Sequence, residues 1–150
     1  MLERTYDGQR CSVARTLEIV GERWTLLIVR DAFLGLRRFD EFQRSLGIAT
    51  NVLAARLERL TEAGIMDKRR YQDRPERHEY TLTEKGRDLH PIIAAMLQWG
   101  DRWVSSVPPR LLTHRADGGT VRVRVTCEAC GADVERAEVE STPNPALPRG

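Results

Sequence analysis

Apolar residues recur at helical spacing through the first hundred residues and at strand spacing in two later stretches. Val13, Leu17, Ile19 and Val20 predict a first helix that Gly21 closes. Trp24, Leu27, Ile28 and Ala32 predict a second over 23–33, stopped by Gly35. Arg38-Phe39-Asp40-Glu41-Phe42 opens a short third helix ending at Leu46-Gly47. A fourth starts at Ala49 or Thr50, with Leu53, Leu57 and Leu60 as its buried stripe, and Gly64 ends it.

The period then changes. Ile65–Tyr71 and His78–Leu82 alternate apolar and polar residues around the polar stretch Gln72-Asp73-Arg74-Pro75-Glu76-Arg77, which predicts a hairpin. Thr83 is an N-cap candidate for a long helix carrying Leu89, Ile92, Ile93, Met96, Leu97 and Trp103. Two helices joined by the tight turn Gly47-Ile48-Ala49, followed by a hairpin, make a winged helix-turn-helix. Beyond Pro108-Pro109, the run Thr120-Val-Arg-Val-Arg-Val125 predicts a strand, and Val134 and Val139 suggest more. The expected fold class is therefore mainly α with a β-hairpin wing. It comprises a winged helix-turn-helix and dimerisation domain over 1–107, a small β-rich lobe over 108–140 and a loose tail over 141–150. No internal repeat is visible.

The chain has 150 residues, 41% hydrophobic and 31% charged, which suits an ordinary folded domain with a small appendage and excludes a disordered chain. No apolar run is long enough to span a bilayer, and the start lacks the plan of a signal peptide, so the cytoplasm is the expected location. No Ser/His/Asp set, paired-carboxylate site, P-loop or dinucleotide glycine motif is present. His78, His90 and His114 are scattered. An enzyme is not expected.

A net charge of +2 argues weakly against a nucleic-acid partner, but its distribution reverses that. Residues 1–36 are neutral, residues 37–87 carry 12 basic against 9 acidic groups, and residues 88–150 carry 7 against 8. The excess lies in the helix-turn-helix and hairpin, and over residues 68–77 Lys68, Arg69, Arg70, Arg74 and Arg77 stand with only Asp73 and Glu76. A basic hairpin tip can follow phosphates beside a groove; a solvated Arg-rich hairpin would carry the same charges. With its leucines inward, the fourth helix turns Asn51 and Ala55 outward and places Thr50, Ala54, Arg56 and Arg59 on the flanks. Asn51 suits a base edge, Thr50 a phosphate or base, and the alanines allow close approach to thymine methyls. Arg56 and Arg59 suit phosphates or guanine, unless they pair along the helix with Glu58 or Glu62. Double-stranded DNA is the expected partner. A winged helix that meets an acidic protein, with no sequence-specific DNA binding, is the alternative.

Several motifs in order resemble the HxlR-type bacterial transcriptional regulators. They are Cys11 with Gly21-Glu22-Arg23-Trp24-Thr25-Leu26-Leu27-Ile28, Gly35-x-x-Arg38-Phe39-x-x-Phe42, Leu46-Gly47-Ile48-Ala49 and Leu53-x-x-Arg56-Leu57-x-x-Leu60-x-x-x-Gly64. Arg74-Pro75-x-Arg77-x-Glu79-Tyr80-x-Leu82-Thr83-x-x-Gly86 and Trp99-Gly100-Asp101-Arg102-Trp103 complete the set. The resemblance covers about residues 11–104. It implies a MarR-like winged helix, a homodimer, gene regulation in the cytoplasm and Arg38 among the DNA-contacting residues. The surplus apolar face of the last helix (Leu89, Ile92, Ile93, Met96, Leu97, Trp103) also calls for a partner copy. Two-fold symmetry would set two recognition helices roughly 34–36 Å apart. Trp24, Trp99, Trp103 and Phe33 are either core residues or the lining of a small-molecule effector pocket.

The cysteines divide into two groups. Cys11 lies at a helix N-terminus near Arg10 and Arg15, a setting that favours a thiolate, and the resemblance implies a thiol switch there. A small core residue is the other reading of Cys11. Cys127-x-x-Cys130-Gly131 is a knuckle that can grip zinc, with His114-x-x-Asp117 as a second arm. Related regulators with this extension often look to carry HxxC-Gly in the first arm, so Asp117 departs from the pattern. A structural zinc, a metal-free lobe and a Cys127–Cys130 redox pair all remain open.

Overall fold

The computed structural model describes residues 6, 8 and 10–147. They form two compact units, Met1–Met96 and Leu97–Gly150, with the division inside the last long helix. The boundary expected at 107 thus lies further along the chain than this division, and residues 148–150 of the expected tail lie outside the described residues.

In the first unit, α1 (Ser12–Val20) buries Ala14 and Val20, and α2 (Thr25–Phe33) buries Ile28 and Val29 completely. α2 begins two residues later than the periodicity predicts. Trp24, expected inside it, is its N-cap at φ +81, a conformation costing a non-glycine residue on the order of 1–3 kcal/mol. Its ring packs on the core and under the Arg23 guanidinium, 5.3 Å from the ring centre.

α3 (Phe39–Leu46) starts where the Glu41 carboxylate accepts the N–H groups of Arg37 and Arg38, both at 2.9 Å. It ends at Gly47, whose φ of +62 suits a residue without a Cβ. Ile48 is buried in the turn, and α4 (Thr50–Glu62) follows with Leu53, Leu57 and Leu60 buried as their spacing predicts.

β1 (Met66–Asp73) and β2 (Glu76–Leu82) pair antiparallel from Met66↔Leu82 to Asp73↔Glu76, with a bulge between Arg70 and Gln72. The hairpin extends through most of the stretch expected as a loop. The segment before α3 also joins it: Arg38 bridges Glu79, and the Tyr80 N–H donates to the Arg37 carbonyl at 2.7 Å. The helix-turn-helix and the wing therefore share one strand edge.

The single helix expected after Thr83 is broken into α5 (Glu84–Arg87) and α6 (His90–Trp103). Thr83 caps α5 as expected, accepting the Gly86 N–H at 3.1 Å. Pro91 explains the break, because it has no N–H to continue a ladder and disfavours helical backbone before it. At Gly86 a Cβ would lie 2.2 Å from the Ile65 carbonyl oxygen, so only glycine lets α5 approach the start of the wing. The core joins Phe42, Ile48, Leu53, Leu57, Leu60, Ile65, Met66 and Tyr80 to Ile28 and Val29.

The second unit has no regular strand among its described residues. The β-rich lobe expected over 108–140 is corrected to extended segments with two isolated bridges, Thr113↔Thr120 and Thr126↔Asp133, and a short 3-10 turn, Arg136–Glu138. Val121, Val123 and Val125 alternate as a strand would, yet all three are exposed, so no second layer rewards a continuous ladder. The two bridges close two equivalent loops. His114 N–H donates to the Gly119 carbonyl at 2.8 Å, and Gly118 N–H to the His114 carbonyl at 2.8 Å. Thirteen residues on, the same bonds join Cys127 to Ala132 at 2.9 Å and Gly131 to Cys127 at 2.8 Å. Gly118 and Gly131 share a positive φ, +74 and +71. The loops are an internal repeat, Thr-x-x-Ala-x-Gly-x-x-Val, over 113–121 and 126–134.

Candidate nucleic-acid interface

α4 begins at Ala49, which offers no side-chain cap, and no acidic residue occupies its first turn. Thr50, Asn51, Ala54 and Ala55 are exposed, as the phasing predicts. The Thr50 hydroxyl accepts from Gln43 Nε2 at 2.7 Å, tying the first turn of α4 to the helix before it. A helix end with free amide dipoles and small side chains can approach a polyanion closely.

The arginines of α4 have partners that sequence spacing does not reveal. Arg56 and Arg59 both bind Glu22, from the corner between α1 and α2; Arg59 Nη1 lies 2.9 Å from Glu22 Oε1. Neither pairs with Glu58 or Glu62 within the helix. Arg56 is only 23% exposed, and its Nε is buried without a partner, so it braces α4 against the corner more than it faces solvent. Arg59 is 54% exposed and can exchange carboxylate for phosphate. Arg38 is also engaged: its Nε is 3.7 Å from Glu79, and its guanidinium stacks on Tyr71, 4.8 Å from the ring centre.

On the wing, Arg70 pairs with Asp73 at 3.2 Å. Lys68, Arg69, Arg74 and Arg77 are exposed and have no ion pair among the described residues. Lys68 lies across from Tyr80 and shares a groove with Ala54, Glu58 and Glu62 of α4. Arg77 lies with Tyr71 and His78 in a groove against Phe39 and Asp40. Burial pushes the Tyr80 phenol up, and the Glu58 charge adds to it. The exposed face of α4 and the unpaired arginines of the hairpin belong to the same unit, giving a small-residue helix face and a cationic arm for a polyanion.

The apolar face of α6 divides. Leu89 and Ile93 pack into the core of their own unit, and Leu97 is half-buried. Ile92 and Met96 are exposed, as are Trp99 and Trp103 at 63% and 65%. Trp24 and Phe33 pack on the core.

Cys11, Cys127 and Cys130 are free thiols; Cys11 and Cys130 are exposed, which excludes the core reading for Cys11. His114 Nδ1 lies 3.1 Å from Asp117 Oδ2, so the two residues of the first loop bind each other. The Gly119 N–H and the His114 ring hold the Asp117 carboxyl below its ordinary value. In the second loop, N–H groups of Cys130 and Ala129 and the Cys130 thiol hydrogen-bond Cys127, holding its thiol below the usual range. The arms do not converge: among the described residues no three His, Cys, Asp or Glu side chains form a metal-sized cluster.

A helix-turn-helix followed by a basic hairpin defines a winged helix-turn-helix DNA-binding protein. A family model described as HxlR-like helix-turn-helix matches residues 19–108, and the chain belongs to that family. It is 44% identical over 148 residues to Rv3095 of Mycobacterium tuberculosis, an uncharacterized HTH-type transcriptional regulator, covering 97% of this chain and 92% of the relative. YdeP of Bacillus subtilis, with the same description, is 34% identical over 112 residues, 74% of this chain and 88% of the relative. The crystal structure of PA1607 superposes with a TM-score of 0.81 at 39% identity, covering 93% of this chain and 99% of that one. The redox regulator HypR in its reduced form superposes at 0.58 with 35% identity, covering 63% and 96%. The protein is accordingly a DNA-binding transcriptional regulator and not an enzyme. Among its described residues, no helix is long and apolar enough to cross a membrane.

Proposed function

We propose that the protein binds a pseudo-palindromic duplex as a homodimer, each copy placing α4 in a major groove and its wing on the flanking phosphates. The observation that carries this is the exposed first face of α4, with Thr50, Asn51, Ala54 and Ala55, in the same unit as the unpaired Arg69, Arg74 and Arg77. Asn51 reads a base edge, the alanines meet thymine methyls, and the wing arginines and Lys68 contact phosphates. Ile92, Met96, Trp99 and Trp103 recur along α6 on one stripe and are covered by the second copy. The regulator acts on cytoplasmic DNA.

Selecting bound sequences from a random duplex pool tests this reading. Two similar half-sites about one helical turn apart are expected. No enrichment over random duplex refutes it in favour of a protein-contact module.

Its release from DNA is tied to Cys11, alone or beside a small-molecule effector. Two observations support this: the thiol is exposed at the start of α1, and the chain is similar to the redox regulator HypR. The selection is repeated with a thiol oxidant. Oxidant-dependent release that survives Cys11→Ser contradicts the assignment.

A further inference from the structure

The two loops of the second unit have one backbone but different chemistry. Thr113, Ala116, Gly118 and Val121 of the first correspond to Thr126, Ala129, Gly131 and Val134 of the second. His114 and Asp117 then occupy the positions of Cys127 and Cys130. In the first loop His114 Nδ1 and Asp117 Oδ2 lie 3.1 Å apart, and Gly119 N–H donates to an Asp117 oxygen at 2.8 Å. That arm does not come together with the thiols of the second loop among the described residues.

The second loop is left with two thiols and no third ligand, since no metal-sized cluster forms among the described residues. A structural zinc needs four donors, normally with thiolates dominant. The donor set here does not fit it, and the dithiol needs another explanation. The Gly131 N–H closes the turn on the Cys127 carbonyl at 2.8 Å, which brings residues 127 and 130 to the same side of one tight loop. Cys130 is exposed and Cys127 half-buried, so a small molecule can reach the pair.

We propose that Cys127 and Cys130 form a thiol–disulfide exchange site for low-molecular-weight disulfides of the oxidised-glutathione class. The Cys127 thiolate attacks one sulfur of the incoming disulfide, whose S–S bond breaks to release one small thiolate. Cys130, losing its proton, attacks the Cys127 sulfur of the mixed disulfide and expels the second small thiolate. The protein's two thiols are oxidised to one disulfide, and the incoming disulfide is reduced to two thiols. The thiolates take up the two protons.

The full-length reduced protein and its Cys11→Ser variant are equilibrated in graded mixtures of reduced and oxidised glutathione, acid-quenched, alkylated and mapped by mass spectrometry. Zinc is measured on the same reduced samples. The expected result is a Cys127–Cys130 disulfide in both proteins, with free thiols falling from three to one in the wild type and from two to none in the variant. Cys130→Ser should trap glutathione on Cys127. Cys127→Ser should slow glutathione addition at Cys130 by about tenfold or more. The proposal is overturned if both thiols stay alkylatable at every potential, or if glutathione in Cys130→Ser lands only on Cys11. It is equally overturned if reduced protein carries about one zinc per chain that shields both thiols until a chelator is added.

Discussion

Arg59 Nη1 lies 2.9 Å from Glu22 Oε1, and Arg56 holds the other oxygen of that carboxylate. One acidic residue in the α1–α2 corner thus grips two cations of the recognition helix. The grip orients α4, and it also sets a carboxylate against charges that DNA would use.

Glu22→Gln removes that competition. The Arg59 pair is well exposed, so its loss should alter stability by no more than about 1 kcal/mol, and the glutamine oxygen can still accept from the half-buried Arg56. DNA affinity at low salt should rise severalfold, and the log–log salt slope should steepen by about 1 as Arg59 turns to phosphate. Anisotropy titrations at several salt concentrations measure both. Arg56→Ala should instead lower the melting temperature, because a half-buried brace is lost.

Wing and helix contacts separate by sequence dependence. Arg74→Ala and Arg77→Ala should weaken binding to every duplex, each lowering the salt slope by about 1. Asn51→Ala should cost about 1–3 kcal/mol on the selected site and much less on random duplex. A wing variant that loses affinity for only one sequence contradicts phosphate contact.

The leucine stripe of α4 and the hairpin are legible in the sequence because period alone fixes which face is buried. Leu53, Leu57 and Leu60 are all buried as read. The Glu22 grip is not legible, since it joins residues 37 apart that only the folded chain brings together. Pro91 marks the helix break in the sequence, but the apolar run around it predicts one continuous helix. The loop repeat is hidden in the sequence because its matching positions are mostly small residues, while His114 and Asp117 share no side-chain type with Cys127 and Cys130. Alternating valines misled in the other direction, because alternation predicts a strand only where one face is covered.

Gly86 and Thr83 form one joint beneath the wing. Gly86→Ala should be the more damaging change, because its Cβ would meet main chain at 2.2 Å. Thr83→Ala loses a cap worth about 1 kcal/mol. Thermal unfolding of both variants should rank them in that order.

Glu41 makes stability depend on acid pH. The N–H groups of Arg37 and then Arg38 hold its carboxyl below its ordinary value. Unfolding breaks those bonds and restores the ordinary value, so the unfolded chain binds the proton first as pH falls. The stabilisation is therefore complete above the ordinary carboxylate range and is lost as pH drops through it toward the folded value. Glu41→Gln should lower stability at neutral pH and flatten the acid limb of a melting-temperature profile. An acid limb of unchanged steepness contradicts this role.

The exposed α6 stripe predicts the assembly. Met96→Glu and Trp103→Glu should shift sedimentation from dimer to monomer and leave helical content unchanged. Both variants should also lose preference for paired half-sites.

The salt dependence of binding by the unaltered full-length chain tests the central claim most directly. Affinity is measured by anisotropy for the selected duplex and for a scrambled one, from about 50 to 200 mM salt. The account predicts straight log–log lines of negative slope for both, with the selected duplex bound about 10³-fold or more tighter. A flat salt response, or equal affinity for the two duplexes, would contradict it.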